Sequence, residues 1–308
     1  MMSNKAVGLE PTGVANQRLK TQDSALRTRS EWRRVARTLT RNRLVLAGLA
    51  MVVGLILVAA LAGLIAPYDP IANNVRAALQ PPSPYYFFGT DRFGRDVFSR
   101  VIYGSRISLL VALISVTLAA SVGVVLGLLS GYYGGWVDNV IGRVMDVFFS
   151  FPALLLAIGV AAMLGPGLNN AIIAIAIVYA PSFGRVIRGP VLVERNKEYV
   201  EAARVIGGSS PRILLLHVFP NVLSPLIVQA TITFSFAILT ESYLSFLGLG
   251  TQPPNPSWGT MLQEGRTFLE TAPWTSIFPG LAIMLAVLAF NLLGDGIRDV
   301  LDPRIRGE

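Results

Sequence analysis

The stretch EYVEAARVIGGSSPRIL, Glu198–Leu214, decides how the chain is read. It is short, charged and rich in turn residues, yet long uncharged runs lie on either side, Val147 to Gly184 before it and Val222 to Thr240 after it. A polar segment between two bilayer-length runs is a loop of a membrane protein. Within it, Glu198–Ile206 reads as a helix and Gly207 as its left-handed stop. Ser210 then reads as an N-cap, with Pro211 at the first helical position. Helix, sharp turn, helix is the expected form. Ala202 and Ala203 offer a small surface for close packing, and Glu198 and Glu201 offer charge. Two roles fit: a short helix seated in a partner's groove, or an amphipathic loop resting on the membrane.

Composition supports the membrane reading. Of 308 residues, 53% are hydrophobic and 14% charged, against about 25% charged in soluble chains. There is no cysteine, which removes disulfides, thiolate metal sites and cysteine nucleophiles. The net charge of +8 comes from basic residues flanking apolar runs, so it speaks for membrane orientation and not for nucleic acid. The first apolar run begins near Leu44 and is too long for a signal-peptide core, so no cleavable signal is expected.

Working outward from the loop, six spans are expected, at about 44–66, 107–129, 144–164, 168–187, 221–241 and 274–295. They form a six-span domain over 44–308, preceded by a basic segment, 1–43, in which Trp32 anchors a candidate interfacial helix. An external segment covers 67–106 and the polar loop 188–220. With the N-terminus inside, the inner segments hold 19 of the 26 Lys and Arg and the outer ones six. The positive-inside rule therefore places both termini and the loop in the cytoplasm. Trp136, Trp258 and Trp274 fall at span ends, as an aromatic belt would. Gly123, Gly127 and Gly131 line one helix face, the spacing that lets membrane helices approach closely. Asp91 or Thr90 is the expected cap of the helix entering the second span.

The loop pattern also carries a resemblance. Glu201-Ala202-Ala203, three residues, Gly207, then nine residues before HVFP resembles the EAA loop of permease subunits of binding-protein-dependent ABC importers. His217 and Phe219 depart from the family's Ile and Leu, while Pro220 matches. FGTDRFGRDVFSRVIYGSRISL (88–110), ESYLSFLGLGTQPPNPSWGTML (241–262) and FNLLGDGIRDVLDPRIRG (290–307) are similar to the dipeptide, oligopeptide and nickel branch, and nearest its second, C-type, dipeptide permease. The resemblance implies an all-α fold of six transmembrane helices of the type I importer kind in a bacterial plasma membrane. It implies that Glu198, Glu201, Ala202, Ala203, Arg204, Gly207 and Pro211 form a coupling helix that meets a separate ATPase. It implies a paralogous permease, two ABC ATPase subunits that bind ATP and Mg, an extracytoplasmic substrate-binding protein, and di- or oligopeptide cargo, with nickel or another small solute as the alternative.

The chain's own chemistry agrees. Its three lysines are Lys5, Lys20 and Lys197 and none follows a glycine, so no P-loop can form. No cofactor, metal or catalytic constellation is expected in the chain. Glu241, Ser242 and Asn291 are the candidates for the translocation path or gate, because polar groups in a bilayer are functional by default. Glu241 and Asp295 are placed at span ends, and Arg143 and Asp146 as an ion pair. A stand-alone secondary transporter is the lesser alternative, weakened by the lack of mid-span charge.

Overall fold

The computed structural model describes residues 43–301; the basic segment with Trp32 and residues 302–308 lie outside it. The helices are α1 (Arg43–Ala60), the single turn α2 (Ala62–Ile65), α3 (Val97–Tyr133), α4 (Gly135–Phe149), α5 (Ala153–Leu164), α6 (Leu168–Glu194), α7 (Glu198–Val205), α8 (Ser210–Ile213), α9 (Leu223–Phe246), α10 (Trp258–Gly265) and α11 (Trp274–Leu301). There is no strand among the described residues. Five helices are long and apolar enough to cross a bilayer, and a sixth span results if the bent pair α4–α5 counts as one.

That pair corrects the expected third span. A straight helix over 144–164 is not formed; α4 and α5 meet at 92°. The break falls before Pro152, which has no N–H to give to a helical ladder. Alone, the 12 residues of α5 reach only about 18 Å. The sequence shows no polar residue strong enough to mark this corner, which is why an uncharged run read as one span.

The bundle is organised around the contact of α3 with α6. The glycine stripe lies in it. A Cβ on Gly127 would stand 2.6 Å from the Gly184 carbonyl oxygen and 3.0 Å from Ile187 Cβ. One on Gly131 would stand 2.7 Å from Val191 Cβ, and one on Gly123 would collide with the Ala180 carbonyl. Backbone therefore meets backbone along about two turns, the close approach that small residues permit in a membrane. Val111, Ala112, Ala174, Ile175, Phe183, Ala237 and Ile238 close the core around it. α11 packs along α1 and α9, with Gly48 against the backbone of Leu292 and Leu293.

The outer segment is fastened by a buried ionic cluster. Arg95 donates to Asp91 (2.6 Å) and to Glu264 (2.6 Å), and Arg100 reaches the same Glu264 oxygen at 3.1 Å. The expected cap of α3 shifts as well. Asp96, not Asp91 or Thr90, accepts from the Ser99 amide at 2.8 Å, while Asp91 folds the preceding turn by accepting from Phe93 and Arg95 amides. Trp258 is not part of a belt: it is 1% exposed and its indole donates to the Val101 carbonyl at 3.0 Å. Trp136, 77% exposed, fits the belt reading.

Gly127→Val should lower the thermal stability of the detergent-purified chain by about 1–3 kcal/mol, the usual cost of overpacking. Gly159→Ala, at a position with open space around it, should leave the melting temperature within about a degree, by the small effect of surface substitutions.

Candidate functional site

The loop is rigidly built. Three residues separate the end of α6 from the start of α7. Its inner face, Val200 and Ala203, is buried with Ile187, Val191, Ile213, Leu214, Val218 and Val222. Its outer face presents Glu198, Glu201, Ala202 and Arg204, all exposed. The two alanines thus do not share one surface. Successive helical residues point about 100° apart, so Ala203 turns inward and Ala202 outward.

Gly207 has φ +83°, the left-handed stop that its position predicts. Its amide bonds the Arg204 carbonyl (3.0 Å) and the Gly208 amide bonds the Ala203 carbonyl (2.9 Å), closing the end of α7. The next helix starts one residue earlier than expected: Ser209 is the N-cap, without a side-chain bond, and Pro211 lies in the first turn. From there to α9 the helix is irregular, with a π turn over Leu214–Val218 and a 3-10 turn over Phe219–Val222. Pro220 interrupts the ladder there. At the tip, Val205 and Ile206 are 86% and 85% exposed. These two apolar residues extend the exposed face, and charge-based reading of the sequence passed over them.

Polar anchors tie the loop to α3, to the end of α6 and to the irregular segment that leads into α9. Arg195 donates to the carbonyls of Gly131 (3.0 Å) and Tyr132 (3.2 Å) at the end of α3. Glu194 accepts from Lys197 (2.6 Å) and from the Tyr199 hydroxyl (2.5 Å). Burial, reinforced by the Glu194 acceptor, pushes the Tyr199 phenol up to about 12, so it stays a donor at physiological pH. Asn221 donates to the His217 carbonyl (2.7 Å) and to the Tyr199 hydroxyl (3.2 Å). Arg204 lies over the Tyr132 ring at 5.2 Å. The sole histidine therefore contributes its backbone to this network while its side chain is exposed.

The path candidates separate. Glu241 lies five residues before the end of α9 and is fully buried. It accepts from Ser108 (3.0 Å) and Ser245 (2.7 Å), with Thr251 at 3.5 Å. Ser242 is buried too and donates to the Ile238 carbonyl at 2.9 Å. Asn291 is exposed on α11. The three do not converge on one cavity. Asp146 pairs with Arg185 across to α6 at 2.7 Å, not with Arg143: the guanidinium of Arg185 is braced 3.8 Å over the Phe149 ring and reaches the carboxylate first. Among the described residues no His, Asp or Glu group is arranged to hold a metal ion.

Membrane-crossing helices around a close-packed seam, with a stiff two-helix loop projecting from one end, define a multi-pass transport permease. The chain belongs to the binding-protein-dependent transport system inner membrane component family, whose model matches residues 123–307. The N-terminal transmembrane domain of oligopeptide transport permease C matches residues 30–82. It is 48% identical over 277 residues to the dipeptide transport system permease protein DppC of Alkalihalophilus pseudofirmus, covering 90% of this chain and 91% of that one. It is 46% identical to the glutathione transport system permease protein GsiD of Escherichia coli, covering 91% and 92%. The fold is that of the MetNI methionine ABC transporter structure in an inward-facing conformation, at TM-score 0.52 and 20% identity over 67% of this chain and 98% of that one. The protein is a permease subunit of an ABC importer with the type I architecture.

Replacing Gly207 with Val should strain the turn by about 1–2 kcal/mol, the cost of a left-handed conformation for an L-residue. Hydrogen exchange of amides 198–208 should accelerate while that of α3 and α6 stays unchanged.

Proposed function

We propose that this subunit pairs with a paralogous permease in a bacterial plasma membrane to form the path for di- or oligopeptides. An extracytoplasmic binding protein delivers the peptide. Two separate ATPase subunits bind ATP and Mg and meet the loop, with both chain termini on the same, cytoplasmic side. The observation that carries this reading is the exposed face of Glu198, Glu201, Ala202, Arg204, Val205 and Ile206, on a loop fastened to α3, α6 and α9. A surface so exposed yet so firmly held is suited to receiving force from a partner and passing it to several spans at once. Gly207 and Pro211 serve it by fixing the angle between α7 and α8.

Peptide is favoured as cargo because relatives sharing nearly the whole chain carry dipeptide and glutathione in their names, and glutathione is itself a tripeptide. The same architecture importing nickel is the alternative; a stand-alone secondary transporter has no use for the exposed tip. For the path, Asn291 is the accessible candidate. Glu241 is proposed to act from behind it, by holding α9 against α3 and the outer loop, with Ser242 beside it bonded within α9.

Glu201→Lys in the assembled transporter, reconstituted with loaded binding protein, should reduce peptide uptake and stimulated ATPase activity at least about tenfold, a loss of roughly 1.4 kcal/mol or more. Membrane insertion should be unaffected. Normal uptake would remove the docking role from this face. A reporter fused after Glu308 should report cytoplasm.

A further inference from the structure

A second site lies beside the corner between α4 and α5. The charge-free run of α6 ends at Gly184, so Arg185 and Arg188 stand where α6 leaves the apolar layer, and the residues of α4 that pair with them, Asp138 and Asp146, lie at the same level. The faces of α4 agree with that placement. Trp136, Val140, Val144 and Val147 form one stripe at helical spacing, each at least 42% exposed. The opposite face turns toward α6. Such a helix, with an exposed apolar stripe and a terminal Trp, sits at headgroup depth.

Between α4 and α6 lies a cleft of about 280 Å³. Three guanidiniums line it, Arg143, Arg185 and Arg188, with the carboxylates Asp138 and Asp146 and the amide of Asn139. The charges do not cancel. Arg188 grips Asp138 with two bonds, at 2.5 and 2.6 Å, and Asp138 also accepts from the Ser130 hydroxyl. Arg185 spends one nitrogen on Asp146. Arg143 has no ion-pair partner among the described residues. One whole guanidinium and the rest of a second therefore face the cleft with donors to spare.

We propose that this cleft binds the phosphodiester of an anionic phospholipid headgroup, held between Arg143 and Arg185. Guanidinium forks match phosphate oxygens in pairs. Basic pockets between spans, at the level of the headgroups, are where such lipids are held. The exposed stripe of α4 places acyl chains beside the cleft. Arg188 and Asp138, locked to each other and to Ser130, form its fixed back wall. The inference rests on the membrane placement of the bundle and not on the cargo or the ATPase, so its test reads lipid and not transport.

The assembled transporter is placed in nanodiscs of mixed phosphatidylglycerol and phosphatidylcholine, and retained lipid is read by native mass spectrometry. Wild type should retain phosphatidylglycerol preferentially. Arg143→Gln with Arg185→Gln should reduce that retention about tenfold, in line with two basic residues near a headgroup. Arg143→Gln alone, which breaks no ion pair, should reduce it severalfold without lowering the melting temperature in phosphatidylcholine. Arg76→Gln removes the same charge from the external segment and should change nothing. Equal retention by wild type and the double variant would overturn the site. Displacement of phosphatidylglycerol by millimolar inorganic phosphate would overturn the lipid assignment in favour of a free anion. Retention lost equally in Arg76→Gln would reduce the effect to net charge and overturn it as well.

Discussion

The close approach of α3 and α6 sets the geometry of everything else. Lipid tails are as apolar as the helices, so burial of apolar surface gives helices little reason to associate inside a bilayer; packing and complementary shape must do it. Gly123, Gly127 and Gly131 leave room for the backbone of Ala180–Gly184 and for the side chains of Ile187 and Val191. Because α6 runs directly into the loop and α3 ends at the carbonyls that Arg195 binds, the seam fixes where the loop projects. A loop mounted on loosely packed helices would absorb displacement. This one is mounted on the tightest contact of the bundle.

The second constraint is the satisfaction of polar groups. Outside the seam, most charged groups in the interior are enclosed by polar partners, although one buried oxygen of Asp96 has none. Arg95 and Arg100 share Glu264, Asp138 is held by Arg188 and Ser130, and Glu241 sits among hydroxyls from α3, α9 and the turn after α9. Removing one partner from such a pair leaves an uncompensated group, which costs more than the pair contributes. These clusters sit at both ends of the bundle, and Glu241 between α3 and α9. They pin the outer segment to α10 and the inner end of α3 to α4 and α6, so the long helices are tied at several depths.

The sequence was most legible where a pattern has one physical meaning. Charge-free runs of bilayer length mark the five long helices, the four-residue glycine spacing marks the seam, and Gly207 marks the left-handed stop. Where several outcomes share one pattern, reading it failed. An uncharged run does not say whether it is straight, so the corner before Pro152 was invisible. Carboxylate and arginine spacing along one helix suggested Arg143 with Asp146, but the partner came from α6, which no local spacing encodes. Glu241 looked interfacial because it ends an apolar run, whereas the outer loop folds back and buries it. Val205 and Ile206 escaped notice because an apolar residue on a charged helix is ordinarily core, and only the fold shows them pointing outward.

The most direct measurement exploits the absence of cysteine in the chain. Val205→Cys creates a single thiol at the exposed tip of the loop, which can carry a benzophenone maleimide for photo-cross-linking in native membranes. If the loop transmits work from a separate ATPase, illumination should join this chain to the ATPase subunit, with a yield that changes on adding ATP. Adducts formed with lipid alone, unchanged by nucleotide, would mean that the loop lies on the membrane, and the coupling role would be lost.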